Sequence, residues 1–150
     1  MFEPIELNIT ETPVLWINLD EATERKEKME SMFERHGFKS VTRIPGIKHE
    51  RGLIGCGLAF LQAFEQAPEC DFIILEDDCV ETDDFTTTLQ IPDNTDAFYL
   101  GISAWARYND QSGPFLRGAS VAPGVARIAN MLSAHAIYYR SKRYVEACKE

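Results

Sequence analysis

The sequence lacks the features that would place a chain in a membrane or on nucleic acid. No stretch approaches the roughly 20 consecutive apolar residues that a membrane-spanning helix needs, and residues 1–12 carry no apolar run of the kind found in a secretion signal. Basic residues are few, because 15 Lys and Arg stand against 24 Asp and Glu, for a net charge of −9. A chain this acidic is not expected to bind nucleic acid through a basic surface. We therefore expect a cytoplasmic protein with no membrane span and no nucleic-acid partner.

Cysteine pairs at redox or metal-binding spacing are also missing. The sequence has four cysteines, at positions 56, 70, 79 and 148, and none belongs to a C-x-x-C pair. No histidine stands at zinc-ligand spacing from any of them. We interpret them as reduced cysteines in or near the core.

The chain does contain alternating strand and helix patterns, within a length that suits one domain. Short apolar runs and segments of helical periodicity predict strands over residues 14–17, 39–44, 71–75, 96–100 and 133–139, and helices over residues 21–36, 53–67 and 141–150. This alternation predicts an α/β fold with a largely parallel sheet. We expect a mobile leader over residues 1–12, a single domain over residues 13–150, and a long functional loop over residues 103–124.

The clearest predicted strand runs directly into three carboxylates, Glu76, Asp77 and Asp78. Open α/β sheets bind ligands at the carboxyl ends of their strands. A hard divalent cation would relieve the repulsion among three adjacent carboxylates, and Mg²⁺ or Mn²⁺ often shares its ligand shell with substrate phosphates. The site would then bind a nucleotide diphosphate despite the acidic chain. The alternative is a solvated acidic turn after a strand.

Several segments in order resemble glycosyltransferase family 25, the lipopolysaccharide and procollagen galactosyltransferase family. They are WINLD at residues 16–20 followed by Glu24 and Arg25, GLIGCGL at residues 52–58, IILEDD at residues 73–78 and, more weakly, AHAIY at residues 134–138. The resemblance covers roughly residues 13–145. It implies a Rossmann-like sheet of the A-type glycosyltransferase fold, shortened at its C-terminal end. It also implies Mn²⁺ (or Mg²⁺) bridging the diphosphate of a UDP-sugar, and transfer of a hexose, galactose by analogy, to a glycan or lipopolysaccharide-type acceptor with inversion.

Carried over to this sequence, the resemblance assigns site residues by position. The expected metal ligands are Asp78 and Glu76, and His135 is added because a neutral imidazole could complete the metal shell. The expected donor-binding residues are Asn18, Asp20, Arg25, Gly55, Glu76 and Asp77. Some of these residues also have a simpler explanation. His135 would equally suit a hydrogen-bonded strand histidine, and the glycines at residues 52–57 would equally suit a tight helix start.

Other roles stay open at the level of the sequence. Arg25 could bind a phosphate or pin a carboxylate, or it could pair on the surface with Glu21 or Glu24. An inverting transfer needs a general base, and Asp77, Asp96 and Asp110 are equal candidates for it.

The chain departs from the family pattern at the start of the second predicted helix. Leu53 replaces an acidic residue of the family, and Ala59-Phe60 replaces its Ser-His pair. These changes favour an alternative function, a degenerate domain that binds a nucleotide sugar without turnover. A receiver-like phosphoryl-transfer domain is a weaker alternative, since the sequence does not offer the strand-end Asp and Lys that it needs.

Overall fold

The computed structural model describes residues 3–69 and 71–150, and Cys70 lies outside that range together with residues 1 and 2. Its elements follow in the order β1 (Pro4–Asn8), β2 (Val14–Asn18), α1 (Thr23–His36), β3 (Val41–Pro45), α2 (Gly52–Gln66), β4 (Phe72–Glu76), β5 (Thr88–Pro92), β6 (Ala97–Tyr99), β7 (Ala106–Tyr108), β8 (Gln111–Gly113), β9 (Gly118–Ala122), β10 (Val125–Ile128), β11 (Ala136–Tyr139) and α3 (Lys142–Lys149). Eight of these elements, β2, α1, β3, α2, β4, β6, β11 and α3, fall where the sequence predicts them. Within the described residues, no helix has the length and apolar character needed to cross a membrane.

The central sheet has five strands in the order β3-β2-β4-β11-β6. β2 pairs in parallel with both β3 and β4, and helices α1 and α2 provide the crossover connections that parallel pairing requires. β11 pairs antiparallel with β4 on one side and with β6 on the other. The sheet is therefore mixed.

The prediction of a Rossmann-like, mostly parallel sheet flanked by helices is wrong. Beside the mixed central sheet, the described residues form three two-stranded antiparallel sheets, β1–β5, β7–β8 and β9–β10. The physical reason lies between β4 and β11. Residues 77–141 are all described and contain no helix, so the chain has no helical crossover with which to bring β11 back parallel to β4.

The two faces of the central sheet carry separate apolar clusters. Successive strand side chains point to opposite faces, so Val14 and Trp16 pack with Met29 and Phe33 of α1, whereas Leu15 packs on the other face against Phe64 of α2. Val145 of α3 belongs to the second cluster. The parallel part of the sheet is thus held between α1 on one face and α2 on the other, and α3 packs on that second face beside β11.

The expected mobile leader over residues 1–12 contains an ordered strand instead, so that prediction is wrong for the described part. Strand β1 pairs antiparallel with β5 over its full length. Leu7 and Ile9 are only 4% and 5% exposed and join the cluster beneath α1. This N-terminal segment is held by core packing.

The predicted long loop over residues 103–124 is also wrong, because most of it forms antiparallel ribbons. β7 and β8 are joined by Asn109 and Asp110, whose φ angles are 48° and 60°. Asn and Asp tolerate this left-handed conformation better than other non-glycine residues, and it suits a two-residue hairpin turn. The ribbon β9–β10 turns at Gly124, whose φ is 72°.

Candidate active site

The candidate site lies where the parallel strands β2, β3 and β4 end. In the β2–β4 register Ile17 stands beside Glu76, so the next residues along, Asn18 and Asp77, are neighbours across the sheet edge. The Asn18 amide Nδ2 donates a hydrogen bond of 2.7 Å to Asp77 Oδ2. The structure therefore joins two residues that the resemblance assigns to the donor site.

Asn18 is the centre of this network and is 1% exposed. Its Nδ2 also donates to the Ala22 carbonyl at 3.2 Å, and its Oδ1 accepts from Arg43 Nε at 3.0 Å. Arg43 Nη2 reaches the Asn18 carbonyl at 3.0 Å and Asp20 Oδ1 at 2.6 Å. A buried side-chain amide needs such partners, and here they fix the loop that leaves β2.

Arg43 is a site residue that sequence reasoning missed. It lies on β3 opposite Trp16 of β2, and it is the single charged residue in that strand. The sequence did contain a signal for this role, because Arg43 is a lone arginine inside a short predicted strand. Only the register between β2 and β3 shows that its guanidinium reaches Asn18 and Asp20.

Asp77 has both carboxylate oxygens occupied. Oδ2 accepts from Asn18, and Oδ1 lies 2.9 Å from Arg25 Nη1. The side chain of Asp77 is 11% exposed, whereas that of Arg25 is 51% exposed. Of the roles left open for Arg25, the structure shows the pinning of a carboxylate, and part of the guanidinium still faces solvent.

Glu76 lies on the other side of the same strand end, beside α2. The Cys56 thiol is 3.5 Å from Glu76 Oε1. Burial raises the pKa of Glu76, and the nearby Asp78 and Asp77 carboxylates raise this pKa further. Burial, followed by the charge of Glu76, raises the pKa of Cys56 to about 11, so the thiol is protonated at neutral pH and donates to the carboxylate.

His135 closes the site from the side of β11. Its carbonyl accepts from Glu76 N at 2.8 Å and from the Cys79 thiol at 2.6 Å. Its ring Nδ1 pairs with the Ser133 hydroxyl, and a Cβ added at Gly101 would lie 3.0 Å from its Nε2. The imidazole therefore packs against the residue that follows the end of β6 by two positions.

Asp78 is the exposed member of the acidic triplet. Among residues 3–69 and 71–150, no group of three or more His, Cys, Asp or Glu side chains is arranged to hold a metal ion. The predicted ligands Asp78, Glu76 and His135 are thus neighbours without forming a three-ligand site. Their carboxylates are still the hard oxygen donors that Mg²⁺ and Mn²⁺ prefer, and Mg²⁺ is commonly held by one or two carboxylates together with substrate phosphates and waters.

The remaining candidates for general base lie elsewhere in the fold. Asp110 is in the β7–β8 turn, where it pairs with Arg107 at 3.3 Å and its side chain is 96% exposed. Asp96 precedes β6 and accepts backbone hydrogen bonds from Arg140 and Ser141, at the end of the sheet opposite to the acidic triplet. No hydrogen bond or ion pair between described residues connects either carboxylate to the triplet.

Gly55 has a packing role in the first turns of α2. A Cβ added there would lie 2.2 Å from the carbonyl oxygen of Ile47. Any side chain would collide with this backbone atom. The structure therefore supports the tight helix start that the sequence left open for this glycine, and it shows no separate need for a phosphate contact.

Comparison of the chain with protein-family models, with curated proteins and with solved structures finds no match. The likeness to glycosyltransferase family 25 therefore rests on the sequence motifs, and any functional conclusion rests on those motifs and the geometry of the site.

Proposed function

We propose that this chain is a metal-dependent glycosyltransferase that transfers a hexose, galactose by its resemblance to family 25, from a UDP-sugar to a glycan acceptor. One observation carries the proposal. Strands β2, β3 and β4 and helix α1 bring two guanidinium groups, a buried amide and the Asp77 carboxylate into one hydrogen-bonded network, and Glu76 and the exposed Asp78 lie on either side of Asp77 in the chain. Carboxylates next to guanidinium groups suit a ligand that carries both a dication and phosphates.

Asp78 and Glu76 are the residues that would hold the cation. The ion would supply Lewis acidity that stabilises negative charge on the departing nucleotide diphosphate. Asp78 is exposed and accessible to it, whereas Glu76 is half-buried and held by the Cys56 thiol. The charge of Asp78 already raises the pKa of Glu76, so this edge of the sheet has an excess of negative charge that a dication would relieve.

Arg25 and Asp20 are the residues best placed to bind the donor. The Arg25 guanidinium is anchored on Asp77 through Nη1 and is half exposed, which leaves other N–H groups for a phosphate oxygen. The Asp20 side chain is 80% exposed and is fixed by Arg43, so its carboxylate can accept hydrogen bonds from ribose hydroxyls. Asp77, with both oxygens occupied, acts in this proposal as the residue that positions Arg25 and Asn18.

The acceptor has a candidate site along β6. A cleft of about 420 Å³ between β6 and the β9–β10 ribbon includes Phe98, Tyr99 and Tyr144 among its lining residues. The lining runs along β6 from Asp96 to Ile102, and Ile102 follows Gly101, the residue that lies against His135. Aromatic rings beside polar groups suit a sugar ring, which has one apolar face and a polar rim.

The second candidate is a domain that binds a nucleotide sugar without turnover. Leu53, which stands where family 25 has an acidic residue, is 87% exposed at the start of α2. A polar side chain at this exposed position could contact a ligand at the acidic strand end, and the leucine side chain has no polar group with which to do so. Incubation of the chain with UDP-galactose and Mn²⁺ separates the two candidates, because release of UDP favours the transferase and binding without release favours the binding domain.

Replacement of the exposed carboxylate tests the shared basis of both candidates. We expect Asp78→Ala to weaken Mn²⁺-dependent UDP binding at least about tenfold, since it removes the most accessible cation ligand. Isothermal titration of UDP, with Mn²⁺ and then with a chelator, measures the effect. Asp83→Ala removes another exposed carboxylate from the same segment and should leave UDP affinity unchanged. UDP affinity that depends on neither Mn²⁺ nor Asp78 would refute the proposed site.

A further inference from the structure

Helix α2 exposes an apolar stripe to solvent. Ile54, Leu58 and Leu61 are 39%, 41% and 36% exposed, and Leu53 at the helix start is 87% exposed. The spacing of Ile54, Leu58 and Leu61, four and then three residues apart, places their side chains on one face of the helix. This face is opposite to Ala59 and Ala63, which are buried in the protomer.

The other long helix, α1, has a charged outer face instead of an apolar one. The buried residues of α1 are Met29, Met32 and Phe33, and eight of its 14 residues are Lys, Arg or Glu. α2 contains one charged residue, Glu65, among its 15 residues. A helix that is apolar on all sides is normally covered on all sides, and in this protomer one side of α2 is not.

Gly57 lies within the stripe, and no contact among the described residues requires a glycine there. A Cβ added at Gly57 would meet no atom within 4 Å, in contrast to Gly55, whose Cβ would collide with the Ile47 carbonyl. Glycine inside a helix costs stability relative to alanine. In an exposed stripe it allows the backbone of a second helix to approach closely.

The charges at the two ends of the stripe identify that second helix. Arg51 and Glu65 are exposed and lie seven residues before and seven residues after Leu58. Within the described chain, neither side chain forms an ion pair. If a copy of α2 packed antiparallel on the first, with Leu58 at the two-fold axis, Arg51 would lie opposite Glu65 of the second copy at both ends. A parallel pairing would instead place like charges together.

We propose that α2 is a dimerisation helix, which packs antiparallel against α2 of a second copy of this chain. The net charge of −9 makes two copies repel each other in general, so a stable contact requires a face without unpaired acidic groups. The stripe between Arg51 and Glu65 has no charged residue, and the acidic Glu65 at its end gains a cationic partner. Such a contact is isologous, because each copy contributes the same surface.

A leucine-to-glutamate variant at the centre of the stripe tests the contact. We expect sedimentation velocity over a concentration series to show a monomer–dimer equilibrium for the unmodified chain. Leu58→Glu should raise the dimer dissociation constant at least about tenfold, because two like charges would meet at the centre of the interface. Leu132→Glu is the matched control, since Leu132 is 47% exposed and lies outside α2, and it should leave the equilibrium unchanged. Circular dichroism establishes that both variants are folded.

Charge reversal tests the antiparallel arrangement independently. Glu65→Arg alone should weaken the dimer by about twofold to fivefold for each of the two end pairs, and Arg51→Glu alone should do the same. The double variant with both changes should restore the original dissociation constant, because the pairs are exchanged. A chain that stays monomeric at every concentration, a dimer indifferent to Leu58→Glu, or a monomer that binds neutral phosphatidylcholine vesicles through this stripe would each overturn the proposal.

Discussion

At the scale of single residues, the site depends on one buried amide. The Asn18 side chain donates to Asp77 and accepts from Arg43, and so it joins an acidic strand end to a basic side chain on the next strand. The sequence predicted the positions of Asn18 and Asp77, because polar residues that follow buried runs mark strand ends. It did not predict Arg43 or Cys56 as site residues, since their contacts depend on strand register and on how α2 packs.

A glycine substitution tests the packing at the start of α2. We expect Gly55→Ala to lower the free energy of unfolding by about 1–3 kcal/mol, because the added methyl group overlaps a backbone carbonyl and forces a shift. A Cβ at this position would lie 2.2 Å from the carbonyl oxygen of Ile47. Urea unfolding monitored by circular dichroism measures the change.

Gly52→Ala provides the matched control in the same helix. A Cβ at Gly52 meets nothing within 4 Å, so alanine there should leave stability unchanged or raise it by up to about 1 kcal/mol. Equal changes in the free energy of unfolding for Gly55→Ala and Gly52→Ala would contradict a packing role for Gly55. A ligand contact would then be the better explanation of this glycine.

At the scale of secondary-structure elements, the sequence predicted best where a segment is buried on both faces. β2 and β4 are unbroken apolar runs, and both lie inside the sheet between helices. β1 was missed because its polar residues alternate with apolar ones. That alternation was itself a strand signal, since Ile5, Leu7 and Ile9 recur at every second position and the last two are buried.

Truncation of Leu7 tests whether β1 is a structural part of the fold. We expect Leu7→Ala to lower the free energy of unfolding by about 2–4 kcal/mol, the usual cost of removing a buried leucine side chain. Glu6→Ala, at the neighbouring exposed position, should change it by less than about 0.5 kcal/mol. Chemical denaturation of both variants measures the difference, and a negligible effect of Leu7→Ala would restore the mobile leader that the sequence suggested.

At the scale of the whole molecule, the error in fold class has one source. Predicted strands and helices alternate along the chain, but alternation predicts a parallel sheet only where every crossover contains a helix. The long segment between β4 and β11 folds into short antiparallel strands instead, so β11 enters the sheet antiparallel. The parallel part of the sheet, β3-β2-β4, keeps its strand ends together, and for this reason Asn18 reaches Asp77 although the predicted fold class is wrong.

The antiparallel pairing of β11 with β6 also brings several tyrosine side chains together beside α3. Their ionisation at alkaline pH is expected to lower the free energy of unfolding. Burial raises the pKa of Tyr139 well above its usual value of about 10, and burial also raises the pKa of Tyr99 and of Tyr144. These groups hold their protons more tightly in the folded chain than in the unfolded chain. Stability is therefore undiminished below the unfolded pKa and falls as the pH rises through about 10, by up to about 1.4 kcal/mol per pH unit for each such tyrosine.

Tyr139→Phe removes the most strongly shifted of these phenols while it keeps the ring that stacks on Phe72. We expect its free energy of unfolding to fall less steeply than that of the unmodified chain between about pH 10 and pH 11. Urea unfolding at a series of alkaline pH values measures the two slopes. Tyr108→Phe, at an exposed position on β7, should leave the original slope in place. Equal slopes for Tyr139→Phe and the unmodified chain would mean that the Tyr139 phenol does not contribute to the alkaline loss of stability.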